Sequence, residues 1–97
     1  MPFDKTNSAF TFTEQGIAKY APRNSGVYGI YNASRWIYIG ESKDMEGRLY
    51  EHLRGQSDQS KRILKHNPTS YAFESCDANT RTAREVALIA ELNPLEN

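Results

Sequence analysis

Between Gly26 and Glu41 the apolar positions crowd into two short runs, GVYGIYN and WIYIGE, rich in β-branched and aromatic residues. Such runs favour extended backbone. They predict strands over 26–32 and 36–41, with Ala33-Ser34-Arg35 short enough for a hairpin loop. Beyond them the period lengthens. Met45, Leu49 and Leu53 recur every four residues and predict the buried stripe of a helix over 45–54. Ser42-Lys43-Asp44 supplies cap oxygens and Gly55 a stop. Ser57-Asp58 opens a shorter helix through Ile63 and Leu64, ending near Asn67-Pro68. TSYAFESC, residues 69–76, reads as a third strand, and Asp77 to Thr80 caps a last helix over 81–92 that Asn93-Pro94 ends. Upstream, Thr11 and Glu14 stand at capping-box spacing for a helix over 13–20, which Ala21-Pro22 terminates. Residues 1–10 read as a loose arm.

The order is α-β-β-α-α-β-α. It predicts an α+β fold in which three antiparallel strands are flanked by helices. Ninety-seven residues without low-complexity runs or repeats predict one domain, 1–97, with residues 1–24 as arm and short helix and 25–97 as core. Hydrophobic residues make up 38% and charged residues 25%, a globular balance. The formal net charge of zero argues against a nucleic-acid binder unless one face is locally basic. Cys76 is the one cysteine, which rules out an internal disulfide and zinc spacing. With no apolar leader and no run of about 20 apolar residues, the chain reads as cytoplasmic and not membrane-bound.

Some positions do not suit a plain core. On the last helix Leu88, Ile89 and Leu92 share a face, and Glu85 falls in its middle. A carboxylate there is costly unless paired or bound to a cation; Arg81, four residues earlier, is the ordinary partner. Arg48 and His52, also four apart, share a face along the sheet edge, with local hydrogen bonding as the plainer account. In the hairpin, an odd loop pairs Asn32 with Trp36, Ile30 with Tyr38 and Tyr28 with Gly40. Tyr28 and Tyr38 then share a face with Trp36, and Gly40 leaves open space beside Tyr28. Val27, Tyr31, Ile37 and Ile39 take the other face.

Two tyrosines, an arginine, a histidine and one carboxylate do not suit acyl transfer or a glycosidase pair. No GxxxxGK[ST] or GxGxxG loop is present. The set suits phosphodiester cleavage. An arginine fork neutralises phosphate, one carboxylate holds Mg²⁺ with its waters, and a tyrosine or histidine accepts a proton from water.

From about Ser25 to Asn97 the chain resembles the GIY-YIG nuclease superfamily. The motifs are Gly26-Val27-Tyr28, Tyr38-Ile39-Gly40, Arg48 with His52, Glu85, and Asn97 after Pro94. The literal GIY, Gly29 to Tyr31, is a decoy, because strand parity sends Tyr31 to the opposite face from Tyr38. The resemblance implies a three-stranded antiparallel sheet and metal-dependent DNA cleavage leaving a 5′-phosphate and a 3′-hydroxyl. It implies Tyr28 as general base or water-orienting group, Tyr38 on phosphate or water, and Arg48 on the phosphoryl charge. His52 becomes a second proton acceptor, Glu85 the sole protein ligand of one Mg²⁺ or Mn²⁺ ion, and Asn97 a residue that fixes the site.

The substrate class left open is duplex, branched or single-stranded DNA. With no room for an added DNA-binding domain, specificity is expected from loops, a homodimer or a protein partner. Gly40 marks close approach of a ligand, and Lys43, Arg54, Lys61, Arg62 and Lys65, with His66, are candidates for a basic face. Acidic neighbours make a solvated helix surface the alternative. Trp36 and Tyr71 offer rings for stacking on bases. The competing function is a non-catalytic nucleic-acid-binding module with the same fold.

Overall fold

The computed structural model describes Phe3 and residues 5–97. A 3₁₀ turn over Lys5–Asn7 leads into β1 (Phe10–Thr11), α1 (Glu14–Tyr20), β2 (Gly26–Tyr31) and β3 (Trp36–Ser42). Then come α2 (Met45–Leu53), α3 (Asp58–Leu64), β4 (Ser70–Ser75) and α4 (Ala78–Leu92). The sheet has four antiparallel strands in the order β1-β4-β2-β3, not three. The fourth is β1, whose Phe10 and Thr11 pair with Tyr71 and Ser70. The expected loose arm is likewise corrected where it is described. Phe3 is buried and stacks on Trp36, and Phe10 stacks on Tyr20 and Phe73. Residues 1, 2 and 4 lie outside the described residues.

The helix starts follow local chemistry. Thr13, Asp44, Ser57 and Asp77 each accept a backbone N–H of the first turn. Thr13, rather than Thr11, caps α1. Gly55, at φ +64°, takes the left-handed position that ends α2. Asn93 does the same for α4 at φ 48°.

Helices cover both faces of the sheet. On one face Ile17 of α1, Met45 and Leu49 of α2 and Ile63 of α3 pack with Tyr28, Ile30, Tyr38 and Tyr71. On the other, Leu88 of α4 and Phe3 pack with Val27, Ile39 and Ala72, flanked by Trp36, Ile89 and Leu92. β2, central and covered twice, is therefore buried along almost its whole length. Each fully buried aliphatic side chain here contributes about 1.5–3 kcal/mol.

The hairpin departs from its expected loop in a way that matters. Asn32 does not pair with Trp36. Its N–H donates to Arg35 O, and its side-chain oxygen accepts from Ser34 N and Arg35 N, closing a tight turn. That turn sets Tyr31 opposite Trp36, and alone it would set Tyr28 opposite Ile39. A bulge at Ile37 restores the register, so Ile30 faces Tyr38 and Tyr28 faces Gly40. Tyr28 and Tyr38 share a face as expected. Trp36 and Ile37 exchange sides. Ile37 joins the cluster around Tyr28, and Trp36 packs with Tyr31 on the α4 face.

Candidate active site

Tyr28 stands at the middle of β2 with no exposed surface. Its Oη lies 2.8 Å from Nε2 of His52, which α2 brings over the sheet. His52 is itself buried, and its Nδ1 lies 2.9 Å from Oγ of the buried Ser60 on α3. Tyr38, one strand over on β3, has its ring centroid 6.1 Å from that of Tyr28 and 5.3 Å from that of His52. Gly40 is not open space. A Cβ there would press on the Tyr28 hydroxyl, so the glycine exists to admit the Tyr28 ring.

Burial sets the proton affinities. Burial above all, and then the neighbouring Tyr38, pushes the Tyr28 phenol well above its ordinary range, with Arg48 opposing. Tyr38 is raised too, first by burial and next by Glu85, while Arg48, Gln59 and Tyr28 pull the other way. His52 is pushed down to about 4, by burial first and by Arg48 second. At neutral pH the cluster behind the two phenols therefore carries no charge of its own.

The charges stand around it. Arg48 is exposed on α2, with Nε 3.0 Å from Glu51 Oε2. Glu85, half-buried on α4, belongs to none of the ion pairs among the described residues. Burial and the nearby Glu41 raise its pKa, opposed by a hydrogen bond from the backbone of Glu41. The expected Arg81 partner goes elsewhere. Arg81 Nε lies 3.0 Å from Glu41 Oε1, and its NH1 donates to Ser25 Oγ. An unneutralised carboxylate is a fit place for a hard cation. Among the described residues no three of His, Cys, Asp and Glu gather into a preformed cage, and Mg²⁺ does not need one because it keeps several waters.

Asn97 reaches back along β3. Its Oδ1 accepts from Ile39 N at 2.8 Å and its Nδ2 donates to Ile39 O at 2.7 Å. Leu95 N and Glu96 N donate to Trp36 O and Ile37 O beside it. An open groove of about 490 Å³ has Glu41, Lys43, Arg48 and Arg81 in its walls. The other basic candidates are dispersed. Arg54 makes a forked bond to Glu14 and lies over Tyr50, Arg62 pairs with Glu96, and Lys61 on α3 and Lys65 just after it are exposed. Trp36 packs on Phe3 and Tyr31, and Tyr71 is fully buried with its hydroxyl donating to Gly16 O, so the Tyr71 ring is not free to stack.

The GIY-YIG catalytic domain family model matches residues 24–97. The chain belongs to the GIY-YIG family. Among its relatives, the UvrABC system protein C of Bradyrhizobium diazoefficiens is 32% identical over 83 residues, 81% of this chain and 12% of that protein. The chain thus spans about an eighth of that relative's length. The GIY-YIG N-terminal endonuclease domain of UvrC from Thermotoga maritima, solved with magnesium as its catalytic divalent cation, superposes with a TM-score of 0.72. It is 27% identical, covering 88% of this chain and 99% of that one. Structures of the same domain with one of three tyrosines changed to phenylalanine, or an asparagine to alanine, also hold the cation.

Sequence reasoning reached Tyr28, Tyr38, Arg48, His52 and Glu85, which come together, and Gly40 and Asn97, which support β3. It missed Ser60, Gln59 and the Arg81–Glu41 pair. Ser57-x-x-Ser60 reads as an ordinary helix start, and only the tertiary fold shows Ser60 behind His52.

Proposed function

We propose that this chain is an endonuclease that hydrolyses phosphodiester bonds of DNA with one Mg²⁺ or Mn²⁺ ion. One observation carries the reading. A wholly buried tyrosine hydroxyl is bonded to a buried neutral imidazole, and Arg48 and Glu85 both act on it. The comparison with the Thermotoga domain supports it. The four residues altered there stand at the same intervals as Tyr28, Tyr38, His52 and Asn97 here, with histidine where that domain has a tyrosine.

Glu85 would hold the ion, which when bound would activate water and neutralise charge on the phosphoryl oxygens. Tyr28 accepts the proton of the attacking water while His52 stands ready behind it. Tyr38 orients the water or a phosphoryl oxygen, and Arg48 leaves Glu51 to hold the phosphate fork-on. Asn97 keeps β3 in register through Ile39. Lys43 and Arg81, in the groove that Arg48 shares, meet the backbone of the strand on either side. Lys61 and Lys65 add charge at longer range, and Arg54 and Arg62 serve the fold through Glu14 and Glu96. The products carry a 5′-phosphate and a 3′-hydroxyl.

The test is a panel of labelled duplex, forked and single-stranded oligonucleotides with and without Mg²⁺ or Mn²⁺. Metal-dependent scission of one class is expected. Binding without scission in both metals would refute an enzyme.

A further inference from the structure

Behind the two phenols runs an unbroken line of polar groups. Tyr28 Oη meets His52 Nε2 at 2.8 Å, His52 Nδ1 meets Ser60 Oγ at 2.9 Å, and Ser60 Oγ meets Ser57 Oγ at 2.8 Å. Ser60 has no exposed surface, and burying a hydroxyl is costly unless it is bonded. Ser57 is partly exposed at the start of α3, where its Oγ also accepts the N–H of Ser60. The line therefore begins at the Tyr28 hydroxyl and ends at the partly exposed Ser57 at the start of α3.

We propose that Ser60 and Ser57 complete a proton relay that empties Tyr28 through His52 to solvent at the N-terminus of α3. This deepens the endonuclease reading and rests on it. The chemistry calls for such an exit. A proton left on His52 makes a buried imidazolium, and burial already opposes that ion strongly. A proton removed from Tyr28 alone leaves a buried phenolate, which burial opposes as well. A concerted shift leaves neither. The attacking water gives a proton to Tyr28 Oη as its oxygen bonds to phosphorus. The Tyr28 proton moves to His52 Nε2, and the Nδ1 proton moves to Ser60 Oγ. The Ser60 proton moves to Ser57 Oγ, and the Ser57 proton passes to bulk water. The 3′ oxygen departs with the bonding pair and takes a proton from solvent. Each hydroxyl and the imidazole ends neutral with its hydrogen on the other side, and rotation of the hydroxyls with tautomer exchange resets the line. Ser60 acts through His52, so it is a positioning residue and not a catalytic one.

Ser60→Ala keeps the volume and removes the link. Expected is a fall in kcat of about 100-fold, the scale of one lost proton-transfer partner, with KM within about twofold of the parent. In H₂O/D₂O mixtures the parent rate should curve with deuterium fraction, as several protons in flight require, and the Ser60→Ala rate, left with only the transfers up to His52, should curve less. Ser60→Thr, which restores a hydroxyl, should recover rate and curvature. Should Ser60→Ala fail to fold, Ser57→Asn keeps a cap for Ser60 N–H but passes no proton, and it should show the same loss. Parental kcat in Ser60→Ala, or a straight parent line, overturns the relay. Absence of cleavage in the parent would instead sink the endonuclease reading. In that event nitrogen-15 spectra of the His52 ring decide, since ring shifts unchanged by Ser60→Ala would overturn the His52–Ser60 link by themselves.

Discussion

Acid should unfold this domain through His52 before it touches most of the carboxylates. In the folded chain the imidazole is pushed from 6.5 down to about 4, burial being the larger cause. The unfolded chain therefore takes up a proton near pH 6.5 that the folded chain refuses until near pH 4. Stability from this group is present in full above pH 6.5 and drains away as pH falls toward 4. The whole shift corresponds to about 3 kcal/mol. Between pH 7 and pH 5 the two binding curves differ by about 2 kcal/mol. Urea unfolding at the two pH values, followed by circular dichroism, measures it. The comparison is with His52→Gln, in which the contributions of the other titrating groups persist. The parent should lose about 2 kcal/mol more than His52→Gln over that interval. Equal losses within about 0.5 kcal/mol would refute the buried neutral histidine, and with it the reason for an exit behind Tyr28.

Tyr28→Phe should lower cleavage by at least about 100-fold, measured on labelled oligonucleotides, while Tyr31→Phe should keep most of it. The opposite pattern would misplace the motif by three residues. Gly40→Ala should cost about 1–3 kcal/mol in thermal or urea melts and most of the activity, because the new methyl group needs the space of the Tyr28 hydroxyl and lies within 2.8 Å of Tyr38 Cε2. Glu85→Gln should remove Mg²⁺ binding by titration calorimetry and cleavage with it, yet leave stability within about 0.5 kcal/mol of the parent. A collapse of the fold would make Glu85 a structural group.

The elements from Gly26 onward were legible because their signals are local. Asp44, Ser57 and Asp77 cap, and Gly55 and Asn93 stop, within a few residues of the helices they bound. The five central site residues were legible for a related reason. A four-residue helical step already places Arg48 with His52, whereas Tyr28 shares a face with Tyr38 through the bulge at Ile37 and not through the expected pairing of Asn32 with Trp36. What stayed hidden depends on distant pairing. β1 is two residues long and exists only because β4 lies beside it. The bulge at Ile37 follows from the Asn32 turn and the demand for a buried Tyr28 together, and neither alone foretells that Trp36 and Ile37 change sides. Helical spacing alone leaves Glu85 with either Arg81 or a cation as its partner, and only the fold shows Arg81 bonded to Glu41 of β3. Ser60 became meaningful only when α3 folded over α2.

The last turn of chain beside β3 has a colloidal consequence. In the order β1-β4-β2-β3 the strand bearing Tyr38 is an edge, and exposed edges invite pairing with other molecules and aggregation. Here Leu95 and Glu96 occupy the carbonyls of Trp36 and Ile37, and the Asn97 amide satisfies both polar groups of Ile39 as a further backbone would. The opposite edge is a strand of only two residues. A sheet closed in this way gives a stray strand little to join, so the two paired tyrosines sit on a platform that resists sticking to copies of itself.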